Sequence, residues 1–221
     1  MTTDRAANMA IIALAACAVV LTAQNVHRFG LFRRDGRSVP AAQIEEWQSY
    51  ANRGNRIGTA AASVTVVAFS DYLCPYCREL AVTVAGLQQR YRKDLAVVWR
   101  HLPLGTSRVS LDAALAAECA AKQERFEKMH IELFQNVDSL GRLSFARLAA
   151  RAGIKDTVRF GTCMRDTATA KRIAEDVAAA EQLEAFGTPT ILINGNQFNG
   201  LPSDLSRLIR EERDKGSSDR D

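Results

Sequence analysis

The feature that most constrains this chain is a pair of cysteines, two residues apart, where one hydrophobic period gives way to another. Residues 63–70 read Ser-Val-Thr-Val-Val-Ala-Phe-Ser. The run is uncharged and rich in β-branched side chains, the pattern of a strand buried on both faces. Soon after it, Cys74-Pro75-Tyr76-Cys77 leads into a segment that reads as helix over residues 79–93. A helix that starts at the motif puts Cys74 at its N-terminus, where unpaired backbone N–H groups and the positive end of the helix dipole favour a thiolate. The thiolate is the attacking species in disulfide exchange. Cys77 follows one turn later on the same side and can resolve a mixed disulfide formed on Cys74. Pro75 fits a first-turn position whose N–H would have no partner anyway. A purely structural bridge closing so short a loop would add little stability. Zinc is the competing use of such a pair, but the motif supplies two thiolates where about four ligands are needed. Cys119 and Cys163 are isolated, and His27, His101 and His130 have no ligand spacing, so no metal is assigned.

Around this centre the chain alternates in type. Residues 95–102 form a second apolar run, ended by Pro103 and Gly105. A helical region extends from residue 110 to about 184, with breaks expected at Asp138, Gly141, Gly153 and Gly161 and an N-cap at Ser144. Residues 190–193 are a third strand, Asn194-Gly195 is a hairpin turn and Gln197-Phe198-Asn199 begins the return strand. Ser203 is expected to cap a last helix to about Arg213, and the charged tail, 214–221, to fray. Upstream, residues 24–56 read as a linker with one short helix over 40–52, a flap in which Ile44, Trp47 and Ala51 share a face. Gly187-Thr188-Pro189 stands just before the third strand, where proline is tolerated.

Several separate stretches, in this order, resemble the DsbA family of exported thiol–disulfide oxidoreductases, in particular its membrane-tethered branch. They are Phe69-Ser70-Asp71-Tyr72-Leu73-Cys74-Pro75-Tyr76-Cys77-Arg78, Arg100-His101-Leu102-Pro103-Leu104, Ala116-Ala117-Glu118-Cys119-Ala120 with Phe126 and Leu133-Phe134, Gly187-Thr188-Pro189-Thr190 and Ile193-Asn194-Gly195. The resemblance covers about residues 57–212. It implies an α/β fold: a thioredoxin-like domain over 57–213 with a helical insertion at about 108–185. Cys74 then attacks and Cys77 resolves. Thr188 and a cis Pro189 bind extended substrate through the backbone, with Pro75 and Tyr76 as the active-site dipeptide. No cofactor is implied beyond the two thiols. The implied partners are cysteine-containing exported proteins and a membrane redox protein that recycles the thiols. Related proteins can also bridge a pair placed like Cys119 and Cys163, the alternative being two buried free thiols.

Two positions depart from the family pattern. Many members have a buried acid six residues before the first cysteine, where this chain has Ala68; Asp71 or a water is the substitute to look for. Strongly oxidising members have histidine where this chain has Tyr76, which leaves the direction open between oxidase and reductase or isomerase. His101 and His130 read as packing residues. A tethered peptide-binding chaperone is the reading from another class, and the intact cysteine pair speaks against it. A glutathione-dependent enzyme on the same fold is a further alternative.

The amino-terminal region bears on location. No charged residue occurs over 6–23, and this apolar run approaches the length of a membrane span. It fits a retained anchor, a cleaved signal or, through Leu14-Ala15-Ala16-Cys17, a lipidated one, with a buried core helix as the fourth reading. Arg28, Arg33, Arg34 and Arg37 follow it, which by the positive-inside rule argues for the opposite orientation. Four further cysteines form an even set, as an oxidising compartment permits. The expectation is a domain held outside the cytoplasm, in the periplasm or at the cell surface, by a signal or anchor over 1–23. The net charge of +4 is spread along the chain without a basic run interleaved with aromatics, so no nucleic-acid partner is expected.

Overall fold

A computed structural model describes residues 37–105 and 107–218, and the described residues from Ser38 onward form one compact unit. The expected signal or anchor over 1–23, with Cys17, lies outside the described residues. Six strands make one sheet: β1 (Ala42–Gln43), β2 (Asn55–Ile57), β3 (Val64–Ser70), β4 (Leu95–His101), β5 (Thr190–Ile193) and β6 (Asn196–Asn199), in the order β1-β6-β5-β3-β4-β2. Strands β3 and β4 are parallel and every other pairing is antiparallel. The parallel pair requires a crossover, which helix α2 (Pro75–Arg90) supplies. Helix α1 (Trp47–Ala51) precedes β2. Helices α3 (Arg108–Ala121), α4 (Phe126–Gln135), α5 (Phe145–Arg151), α6 (Thr157–Cys163) and α7 (Thr167–Gln182) lie between β4 and β5, and α8 (Leu205–Ser218) closes the described chain. Among the described residues no helix is long and apolar enough to cross a membrane.

All seven residues of β3 are buried, and their alternation divides the core. Val64, Val66 and Ala68 enter one apolar cluster with Cys77, Leu80 and Val84 of α2, Trp99 of β4, Met129 and Leu133 of α4, and Ile209 of α8. Val67 and Phe69 enter the other with Val98, Leu102 and Leu192, covered by Trp47 and Tyr50 of α1 and Ala180 and Leu183 at the end of α7. Each fully buried large apolar side chain in these clusters contributes about 1.5–3 kcal/mol. The Asn194-Gly195 turn has positive φ at both residues, 46° and 92°. Asn194 also clamps the start of β3: its amide accepts from Thr65 N–H at 2.9 Å and donates to the Ser63 carbonyl at 3.0 Å. At Gly195 a β-carbon would meet Trp47 at 2.7 Å, so this turn sits under α1 only as glycine.

The structure corrects four local expectations. Residues 40–52 are not one helix. Ala41 and Ile44 donate backbone hydrogen bonds to Gln197 and Gly195, which draws Ala42–Gln43 into the sheet as an edge strand, and only Trp47–Ala51 is helical. With Asn55–Ile57 paired to β4 as well, residues 42–57 belong to the domain and not to a linker. The helical region breaks at 122–125, where Glu124 has φ 58°, whereas Gly161 lies inside α6. The last helix starts after Asp204, whose carbonyl accepts from Arg207 and Leu208, and it continues through Ser218 where fraying was expected. Ser144 does accept from the Arg147 N–H as the cap of α5.

Candidate active site

The turn between β3 and α2 is built around Asp71. Its carboxylate accepts from Leu73 N–H (2.9 Å), from the Ser110 hydroxyl of α3 (2.6 Å) and from Leu104 N–H in the β4–α3 loop (2.8 Å). Its carbonyl accepts from Cys74 N–H at 3.1 Å. Asp71 is 5% exposed, so these donors replace its water. A carboxylate occupied in this way holds the turn in place.

Cys74 is the N-cap of α2 in extended conformation, with Pro75 in the first turn. Cys77 N–H and Arg78 N–H both donate to the Cys74 carbonyl. The thiol of Cys74 is part-buried and donates to the Thr188 carbonyl at 3.2 Å. The Thr188–Pro189 peptide is cis. The loop before β5 and the start of α2 thus meet at one sulfur atom. Beside it opens a cleft of about 490 Å³ bounded by Leu73, Pro75, Arg78, Val82, Val137 and Asp138. Cys77 is fully buried behind Cys74. Burial pushes its thiol up to about 12, the Ser70 hydroxyl and Asp71 backbone N–H pull the other way, and the neighbouring Cys74 adds to the rise. Tyr76 is 62% exposed and Phe186, just before the loop, is 86% exposed.

Residues 51–211 match the family model for thioredoxin. The chain belongs to the thioredoxin family. Among solved structures it is similar to a thioredoxin-like oxidoreductase from Silicibacter pomeroyi, at 27% identity and a TM-score of 0.65 over 76% of this chain and 97% of that one. It also has the fold of alpha-DsbA1 from Wolbachia pipientis, at 21% identity and a TM-score of 0.65 over 75% and 94% of the two chains. This thioredoxin-family chain has a DsbA-like fold. A protein named Na(+)/H(+) antiporter NhaA 1 from Mycolicibacterium gilvum is 34% identical over 156 residues, 69% of this chain and 25% of that one. The chain therefore spans about a quarter of the length of the curated relatives it matches.

The remaining singled-out residues form a disulfide and two buried hydrogen-bonded pairs. Cys119 of α3 and Cys163 of α6 are joined in a disulfide, with Cα atoms 5.7 Å apart. The two histidines do more than pack. His101 pairs with Glu118 through Nε2 at 3.0 Å, and Asn55 donates to the same carboxylate oxygen at 2.7 Å. Burial alone would raise Glu118; the bond and charge of His101, Asn55 and the Arg172 charge together outweigh it and hold the carboxyl at about 2. His130 shares a 3.0 Å hydrogen bond with the Tyr72 hydroxyl through Nδ1, within a nest of Trp99, Phe126 and Phe134. Burial, and then the charge of His101, lower His130 to about 3. Sequence reading missed Asp71 as the hub of the turn. The available signal was a short polar pair, Ser70-Asp71, between an apolar strand and the motif. Among the described residues no three His, Cys, Asp or Glu side chains converge in a metal site.

Proposed function

We propose that this protein exchanges disulfides with cysteines of exported proteins, with Cys74 as the attacking and Cys77 as the resolving sulfur. The observation that carries the reading is the meeting of Cys74 Sγ, at the start of α2, with the Thr188 carbonyl at 3.2 Å while Cys77 stays sealed behind it. Only one of the two sulfurs is within reach of a large substrate, which supports this order of events. In the oxidising direction a substrate thiolate attacks Cys74 Sγ of the Cys74–Cys77 disulfide, and Cys77 leaves and takes up a proton. A second substrate thiolate then breaks the mixed disulfide, which yields substrate disulfide and the reduced pair. The reducing direction is the reverse. The Thr188–Pro189 loop holds the substrate chain in extended form beside Cys74, with backbone groups as the contacts. No cofactor takes part.

The protein acts outside the cytoplasm, tethered by residues 1–23, and a membrane redox partner restores its thiols. The Cys119–Cys163 disulfide braces the helical insertion. Reduction of insulin and oxidative refolding of a reduced, unfolded protein, run side by side, test the reading: turnover in either assay supports it and sets the direction, and inactivity in both overturns it. Protease access in intact spheroplasts tests location. Cleavage is expected there, and protection until lysis would put the domain in the cytoplasm.

A further inference from the structure

We propose that Ser70 is a catalytic residue of the resolving step, its hydroxyl donating a hydrogen bond to Cys77 Sγ as that sulfur becomes a thiolate. The proposal rests on the reading of Cys77 as the resolving cysteine. Along β3, Val64, Val66 and Ala68 point into the cluster that contains Cys77, while Val67 and Phe69 point into the other. The period of two puts Ser70 on the Cys77 face, one pleat closer to the motif than Ala68. Its Oγ is shielded from solvent and has no conventional hydrogen-bond partner among the described residues. The groups that pull the Cys77 thiol down against its burial are this hydroxyl and the Asp71 backbone N–H.

A buried hydroxyl with an unused donor costs free energy in the resting enzyme. It recovers that cost when the sulfur in front of it gains charge, because hydrogen bonds to an ionised acceptor are about twice as strong as neutral ones. Stabilisation that grows along the reaction lowers the barrier and does not merely deepen the ground state. The nearby carboxylates cannot take this part. Asp71 is occupied by three donors, and Glu118 is held by His101 and Asn55. In the step itself the Cys77 sulfur attacks Cys74 Sγ, the Cys74–Cys77 bond forms and the bond from Cys74 to the substrate sulfur breaks. The proton given up by Cys77 is matched by the one taken up on the departing substrate sulfur, and Ser70 keeps its own throughout.

Ellman's reagent, an aromatic disulfide, separates the two steps in a Cys17→Ser protein whose Cys119–Cys163 bridge is intact and whose Cys74–Cys77 pair is reduced. Attack by Cys74 releases the first equivalent of thionitrobenzoate, and resolution by Cys77 releases the second. Ser70→Ala should slow the second release about tenfold or more and leave the first at the parent rate. Ser70→Thr, which keeps the hydroxyl, should recover most of the loss. The proposal is overturned by a second release at the parent rate in Ser70→Ala, by equal slowing of both releases, or by a Ser70→Thr protein of parent melting temperature that is as slow as Ser70→Ala. Cys77→Ser should release one equivalent only. If it released two, the reading of Cys77 would fall, and not the role of Ser70 alone.

Discussion

At the residue scale the chemistry depends on how differently one strand–turn–helix junction treats two sulfurs. Cys74 has an open cleft on one side and the Thr188 carbonyl on the other; Cys77 has neither. Between them, Tyr76 projects into solvent from the first turn of α2. A neutral phenol adds no positive charge there. The potential should lie between those of thioredoxin and DsbA, roughly −270 and −120 mV. Tyr76→His should make the protein more oxidising, because an imidazolium next to the thiolate stabilises the reduced form. Equilibration with glutathione buffers measures it; an unchanged potential would move control of the poise to the Thr188 loop. The cysteine pair could be read in the sequence because its meaning lies in spacing and in the strand before it. The roles of Ser70 and Asp71 could not, since they depend on partners such as Ser110 that only the fold brings near.

At the element scale the strands that carry strong patterns were legible, and those defined by their neighbours were not. Strand β3 announces itself by an uncharged β-branched run, whereas β1 is two exposed residues that become a strand because β6 has an open edge. The break at 122–125 had no glycine to mark it. The joint between β4 and α7 was also hidden. Arg100, 2% exposed, donates to Asp176 Oδ1 at 2.6 Å, Arg172 donates to the same oxygen at 2.6 Å, and His101 N–H reaches Oδ2 at 3.0 Å. Asp176→Ala strands the Arg100 charge in the core and should cost on the order of 3–5 kcal/mol in urea unfolding. Loss of less than about 1 kcal/mol would mean that water or a rearranged side chain replaces the carboxylate.

At the scale of the whole molecule, the buried polar groups between sheet and insertion make stability depend on acid. His130 is held at about 3, below its ordinary 6.5, so the unfolded chain binds its proton first; this contribution is intact above about pH 6.5 and is lost as pH falls toward 3. Glu118, lowered from 4.5 to about 2, adds a contribution present above about pH 4.5 and lost toward pH 2. The melting temperature should therefore fall in two overlapping stages below pH 6.5. The Tyr72→Phe/His130→Phe pair, which removes both ends of that hydrogen bond, should flatten the first stage, and an unchanged acid limb would contradict the assignment. The insertion that contains these groups is also what places α3 over the site, through Ser110 and Asp71. The proposed engagement of substrate by Cys74 alone is decided by mass analysis of adducts formed with insulin. Cys77→Ser should accumulate a mixed disulfide on Cys74 that dithiothreitol releases, Cys74→Ser should form none, and neither should turn insulin over. An adduct on Cys77, or turnover by Cys74→Ser at the parent rate, would contradict the account.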